Sequence, residues 1–106
     1  MTCLEVYLNN VHVCTAGVGD FGVLSAMLTW VHRRSDERPA GLPDEQWIAE
    51  ELTFDVVGSR ADDDEVRQKC EWLSRDLTIG DRVEIRIVDA ESYDQPELKD
   101  LAEWDQ

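Results

Sequence analysis

The chain has 106 residues, a length that fits one domain able to bury a core of its own. Hydrophobic residues make up 42% and charged residues 32%, which is globular rather than disordered composition. Acidic residues number 24 against 10 basic, a net charge of −14, and that argues against direct binding to nucleic acid or to an anionic membrane, both of which recruit Lys and Arg.

The opening Met1-Thr2-Cys3-Leu4-Glu5 lacks the basic start of a secretory leader. No apolar run approaches the roughly 20 residues of a membrane span. Cys3, Cys14 and Cys70 are an odd number without close spacing, so reduced thiols in a cytoplasmic protein are expected.

Leu4, Val6 and Leu8 alternate with Glu5 and Tyr7, which is strand period. Asn9-Asn10 tolerates the left-handed backbone of a two-residue turn, and Val11 to Thr15 alternates again. A regular hairpin sets Leu8 opposite Val11, Val6 opposite Val13 and Leu4 opposite Thr15, with Tyr7/His12 and Glu5/Cys14 on a second, semi-polar face. Asp20 is placed to cap a helix from about Phe21 to Arg34, with Leu24, Met27, Leu28 and Val31 as its apolar stripe. Pro39, Gly41 and Pro43 mark a loop, and Pro43-Asp44-Glu45 opens a short helical turn through Trp47. A strand is expected over about Glu51 to Val57. Asp62-Asp63-Asp64-Glu65 leads a second helix to about Leu77, striped by Val66, Cys70, Leu73 and Leu77. Gly80-Asp81 turns into a last strand, Arg82 to Val88. Residues 94–106 read as an acidic tail or short helix, with Leu98, Leu101 and Trp104 at helical spacing.

The expected architecture is therefore a single α+β domain over residues 1–106. Its chain order is β-β-α-β-α-β, a mixed four-stranded sheet with two helices packed on one face. The third and fourth strands flank a helical crossover and are expected to run parallel.

Candidate chemistry is sparse. Gly17-x-Gly19-x-x-Gly22 has the spacing of a dinucleotide fingerprint, but it follows a hairpin strand and contains Asp20, so a turn with a helix cap is the better reading. His12 and Cys14, with Cys3 nearby, resemble part of a zinc or thiol site, yet no fourth ligand is at hand. Asp62 to Glu65 lacks the alternation and glycine of a calcium loop. No catalytic, metal or cofactor site is assigned, and no cofactor is expected.

The four tryptophans, Trp30, Trp47, Trp72 and Trp104, are many for this length. A tryptophan in acidic surroundings suits a protein-binding surface. Charge is uneven, −5 over residues 1–53 and −9 over residues 54–106. The expected function is a non-enzymatic acidic interaction module, of inhibitor, immunity or nucleic-acid-mimic type, that meets a basic protein surface. Its contact residues would be Asp62, Asp63, Asp64, Glu65, Trp72, Glu97, Asp100, Glu103 and Trp104. The alternative is a small ligand-binding protein or enzyme using Tyr7, His12 and Cys14, or a structural homodimer.

Overall fold

The computed structural model describes residues 1–61 and 67–100. Seven strands make it: β1 Thr2–Leu8, β2 Val11–Ala16, β3 Gly22–His32, β4 Glu50–Ala61, β5 Arg67–Asp76, β6 Val83–Asp89 and β7 Glu97–Asp100. The helices expected over 21–34 and 62–77 do not form; β3 and β5 occupy the described part of those segments. Helical structure among the described residues is confined to single 3-10 turns at Ser35–Glu37 and Asp44–Gln46, the second where Pro43-Asp44-Glu45 is read as a turn.

The α+β reading is thus corrected to two antiparallel sheets. One has the order β2-β1-β6 and the other β3-β4-β5-β7. All pairings are antiparallel, so the expected parallel pair is absent from the described residues. The fourth expected strand, now β6, lies against β1 in the opposite sheet from β4. Part of the expected tail forms β7 against β5, and residues 101–106 lie outside the described residues.

The sheets meet through Val6, Cys14 and Ala16 on one side and Phe54 and Val56 on the other, flanked by Leu24, Ala26, Trp72, Leu73 and Val83. The core is thin. Buried apolar residues among those described are Cys3, Val6, Leu8, Cys14, Ala16, Phe54, Val56 and Cys70. The radius of gyration is 17.0 Å, against about 13 Å for a compact chain of this length. The molecule is a flat slab, 50 × 37 × 16 Å along its principal axes.

Local chemistry explains the turns. Asn9 and Asn10 have φ of 52° and 68°, the left-handed pair of a type I′ turn. Asn9 also ties this turn to the one before β6. Its Nδ2 donates to Asp81 Oδ1 at 3.1 Å, and its Oδ1 accepts from the Arg82 amide at 2.9 Å. Asp81 also accepts from the Thr78 amide, and these donors hold its carboxyl below the ordinary range.

One side of the slab is closed and the other open. The segment after β6 crosses to the second sheet on the closed side. There the Asp94 amide donates to the Thr15 carbonyl of β2, its Oδ2 accepts from the Thr15 amide, and its carbonyl accepts the Trp72 indole Nε1–H at 2.8 Å. Tyr93 receives an Arg60 Nη1 hydrogen bond at 3.2 Å. On the open side run β6 and β3. Part of their inward apolar surface remains uncovered: Ile85 is 40%, Ile87 77%, Leu28 62% and Trp30 61% exposed, while Leu24, Ala26 and Val83 pack on the core.

Candidate functional site

The hairpin register decides the first candidate. Leu8 faces Val11 and Tyr7 faces His12, as a regular hairpin requires. A bulge then intervenes, so Val6 faces Cys14, Glu5 faces Thr15 and Leu4 faces Ala16. Val13 is the extra residue. The expected Val6/Val13 and Leu4/Thr15 pairs are corrected by this one-residue shift, and Cys14 turns into the core while His12 stays outside.

The outer face of the β2-β1-β6 sheet then gathers Tyr7, His12, Thr15, Glu84 and Arg86. The Tyr7 and His12 rings meet edge to face at 5.3 Å. The Arg86 guanidinium lies 4.5 Å above the Tyr7 ring and 2.5 Å from Glu84 Oε2. His12 Nε2 and Thr15 Oγ1 are 2.9 Å apart. Each polar group has a neighbour on the same flat face, and no cleft opens there among the described cavities.

The thiols are sequestered. Cys3, Cys14 and Cys70 are free and buried. Burial, with a smaller contribution from Asp94, pushes the Cys14 thiol up to about 11. Buried and protonated, it is a poor nucleophile near neutral pH. A thiol reagent at pH 8 is expected to leave Cys14 unmodified in the native chain and to modify it in denaturant. The raised value also sets a sign. The native state holds the Cys14 proton more tightly than the unfolded chain, so stability is full below pH 9 and falls as pH rises through about 11. Chemical denaturation at pH 8 and pH 10.5 checks this, with Cys14→Ala reducing the difference; burial raises the Cys70 thiol too, so part of it remains.

The glycine motif is structural as well. A Cβ at Gly17 would lie 2.8 Å from Cys3 Sγ and 2.9 Å from Tyr93 Cδ1, so glycine allows the close packing there. Gly19, with φ of 82°, makes the turn, and Gly22 starts β3 rather than a helix, which removes the capping role expected of Asp20. Among the described residues no group of three His, Cys, Asp or Glu side chains is placed to hold a metal ion.

The expected contact residues divide. Trp72 is half-buried with its indole N–H spent on Asp94, so it serves the closed side of the slab. Glu97 is exposed on β7 opposite Glu71, and Asp100 ends β7 opposite Gln68. Asp62, Asp63, Asp64, Glu65, Glu103 and Trp104 lie outside the described residues. Elsewhere the acids outnumber their partners. Arg33, Arg38 and Arg86 engage Glu51, Asp44 and Glu84, and the N-terminal amine engages Asp89. Asp20, Asp36, Glu45, Glu50, Asp76 and Glu97 are exposed and make no ion pair with another described residue.

The longest apolar run of the chain, Val23 to Val31, lies in an edge strand rather than in the expected helix. β3, Gly22 to His32, contains no Asp, Glu, Lys or Arg in eleven residues, and it ends its sheet. Its alternate residues Leu24, Ala26, Leu28 and Trp30 face inward, while Val23 and Met27 lie outside and are 59% and 47% exposed. Beside it, Leu28, Leu52, Leu77, Ile79 and Val83 line a groove of about 280 Å³. The signal available was the absence of charge in a chain that is 32% charged.

Compared with protein-family models, curated proteins and solved structures, the chain matches none. No helix among the described residues is long and apolar enough to cross a membrane.

Proposed function

We propose that this chain is a non-catalytic protein-interaction module whose acidic surface meets a basic partner surface. The observation that carries the reading is the exposed set of carboxylates, Asp20, Asp36, Glu45, Glu50, Asp76 and Glu97, left without cationic partners among the described residues. Such a field steers a basic partner and raises its rate of encounter. An inhibitor, immunity or nucleic-acid-mimic role belongs to this class. The buried free thiols fit a reducing, cytoplasmic setting. The enzyme alternative is weaker, because the bulge puts Cys14 and His12 on opposite faces of the sheet.

The test has two stages. The chain is used to capture proteins from cell extract, and each captured protein is purified and its affinity measured against salt. Going from about 0.1 M to about 1 M salt shortens the Debye length from about 10 Å to about 3 Å. Affinity for a specific basic partner is expected to fall steeply, and Glu45→Lys with Glu50→Lys to slow association at low salt. Affinity independent of salt, or equal to that for polylysine, overturns the reading.

A further inference from the structure

The slab has four strand ends to its sheets, and three are protected. β2 is held by Asp94. β6 carries Glu84, Arg86 and Asp89 in seven residues. β7 is four residues long and carries Glu97, Lys99 and Asp100. Short length, charge and cover are the devices by which proteins keep sheet edges from pairing with other chains. β3 has none of them. It is eleven residues long, uncharged, and pairs only with β4 among the described strands.

We propose that β3 is a homodimer interface, in which two copies pair their β3 strands antiparallel about a two-fold axis at Met27. The inference stands apart from the basic-partner reading and uses a different surface.

The strand's own sequence argues for a second copy. With Met27 on the axis, each residue faces the one whose number completes 54. Leu24 then meets Trp30, and Ala26 meets Leu28, all on the inward side. Val23 meets Val31 and Ser25 meets Thr29 on the outer side. Apolar meets apolar, a hydroxyl meets a hydroxyl, and the large Leu28 and Trp30 meet smaller side chains. Just beyond the strand, Asp20 of one copy faces Arg34 of the other, at both ends of the interface by symmetry. Both are exposed, and neither makes an ion pair with another described residue. The register preserves the pleat, so each strand's outward amides and carbonyls meet their counterparts. The two four-stranded sheets become one of eight strands. The exposed Leu28 and Trp30 are buried, which suits a chain whose core is thin for its length. Two chains of net charge −14 repel at long range, and the uncharged β3 adds no further repulsion where they would touch.

Sedimentation velocity on the full chain is expected to show a dimer of 12.1 kDa subunits. Salt distinguishes this surface from the acidic one. Screening relieves the repulsion between copies, so the dimer persists or tightens as salt rises, whereas binding to a basic partner weakens. Met27→Lys sets two ammonium groups side by side on the axis and is expected to raise the dissociation constant more than about a hundredfold, with the circular dichroism unchanged. Asp20→Arg weakens the dimer, and adding Arg34→Asp restores it. Independently of any destabilising change, Met27→Cys is expected to form a disulfide between copies on oxidation, because facing residues bring their Cα atoms within about 4.5–5.5 Å. A monomer at all salt concentrations overturns the proposal. So does a dimer that Met27→Lys leaves intact, or one that Ile85→Cys on β6 cross-links and Met27→Cys does not.

Discussion

Replacing Phe54 with alanine is expected to destabilise the protein by about 3–5 kcal/mol, the range for deleting a buried aromatic ring. Phe54 is 1% exposed and is the largest fully buried side chain among those described. It sits in β4, opposite Val6, Cys14 and Ala16 of the other sheet. In a thick core, neighbours relax into a void. Here few neighbours exist, and each is anchored in a hydrogen-bonded ladder. A domain of this size is held together by only about 5–15 kcal/mol, so the loss takes a large share of the total. Urea unfolding followed by tryptophan fluorescence measures it. Phe21→Ala is the control, because Phe21 is 81% exposed and its removal is expected to stay within about 0.5 kcal/mol. Equal effects at the two positions would mean that the sheets do not meet through Phe54.

Gly58→Ala is expected to produce the second large effect, for a different reason. A Cβ at Gly58 would lie 2.5 Å from the Val23 carbonyl oxygen, 3.1 Å from Val18 Cγ1 and 3.3 Å from the Trp72 ring. The nearest of these is backbone of the adjacent strand, and it moves only if β3 separates from β4. Forced overpacking of this kind costs about 1–3 kcal/mol. The Trp72 ring is displaced with it, and its hydrogen bond to Asp94 closes one side of the slab. Near-ultraviolet circular dichroism and the urea midpoint should therefore change together. A shift in neither would place the two strands further apart than 2.5 Å packing allows.

The strands with alternating polarity were legible in the sequence: β1, β2 and β6 fall close to where their period of two puts them, and β4 starts where expected but runs on through Gly58 to Ala61 rather than ending at Val57. β5 was not legible, and its bulge is the physical reason. Val56 pairs with Leu73 and Val57 with Glu71, so Trp72 is the extra residue. The bulge breaks the alternation and leaves Cys70 and Leu73 three apart, which is the spacing of a helical stripe. β3 failed differently. Both of its faces are apolar, so Leu24, Met27, Leu28 and Val31 satisfy a helix period while Leu24, Ala26, Leu28 and Trp30 satisfy a strand period. Periodicity could not choose, though Val23, Thr29, Trp30 and Val31 favour a strand. Of the expected contact residues, Trp72 illustrates the limit. Composition marked it as an interaction anchor, but its environment depends on a crossover segment more than twenty residues later.

The pairing of β1 with β6 joins residues 2–8 to residues 83–89, with the N-terminal amine bound to Asp89. During translation β1, the central strand of its sheet, leaves the ribosome about 4–15 s before its neighbour β6, at about 5–20 residues per second. The opening hairpin forms in microseconds, but two strands alone are barely stable. Val6 and Leu8 thus stay wet, and open to chaperones, until residues 83–89 have been made. A bulky fusion ahead of Met1, whose amine is bound to Asp89 beside β6, crowds this joining step.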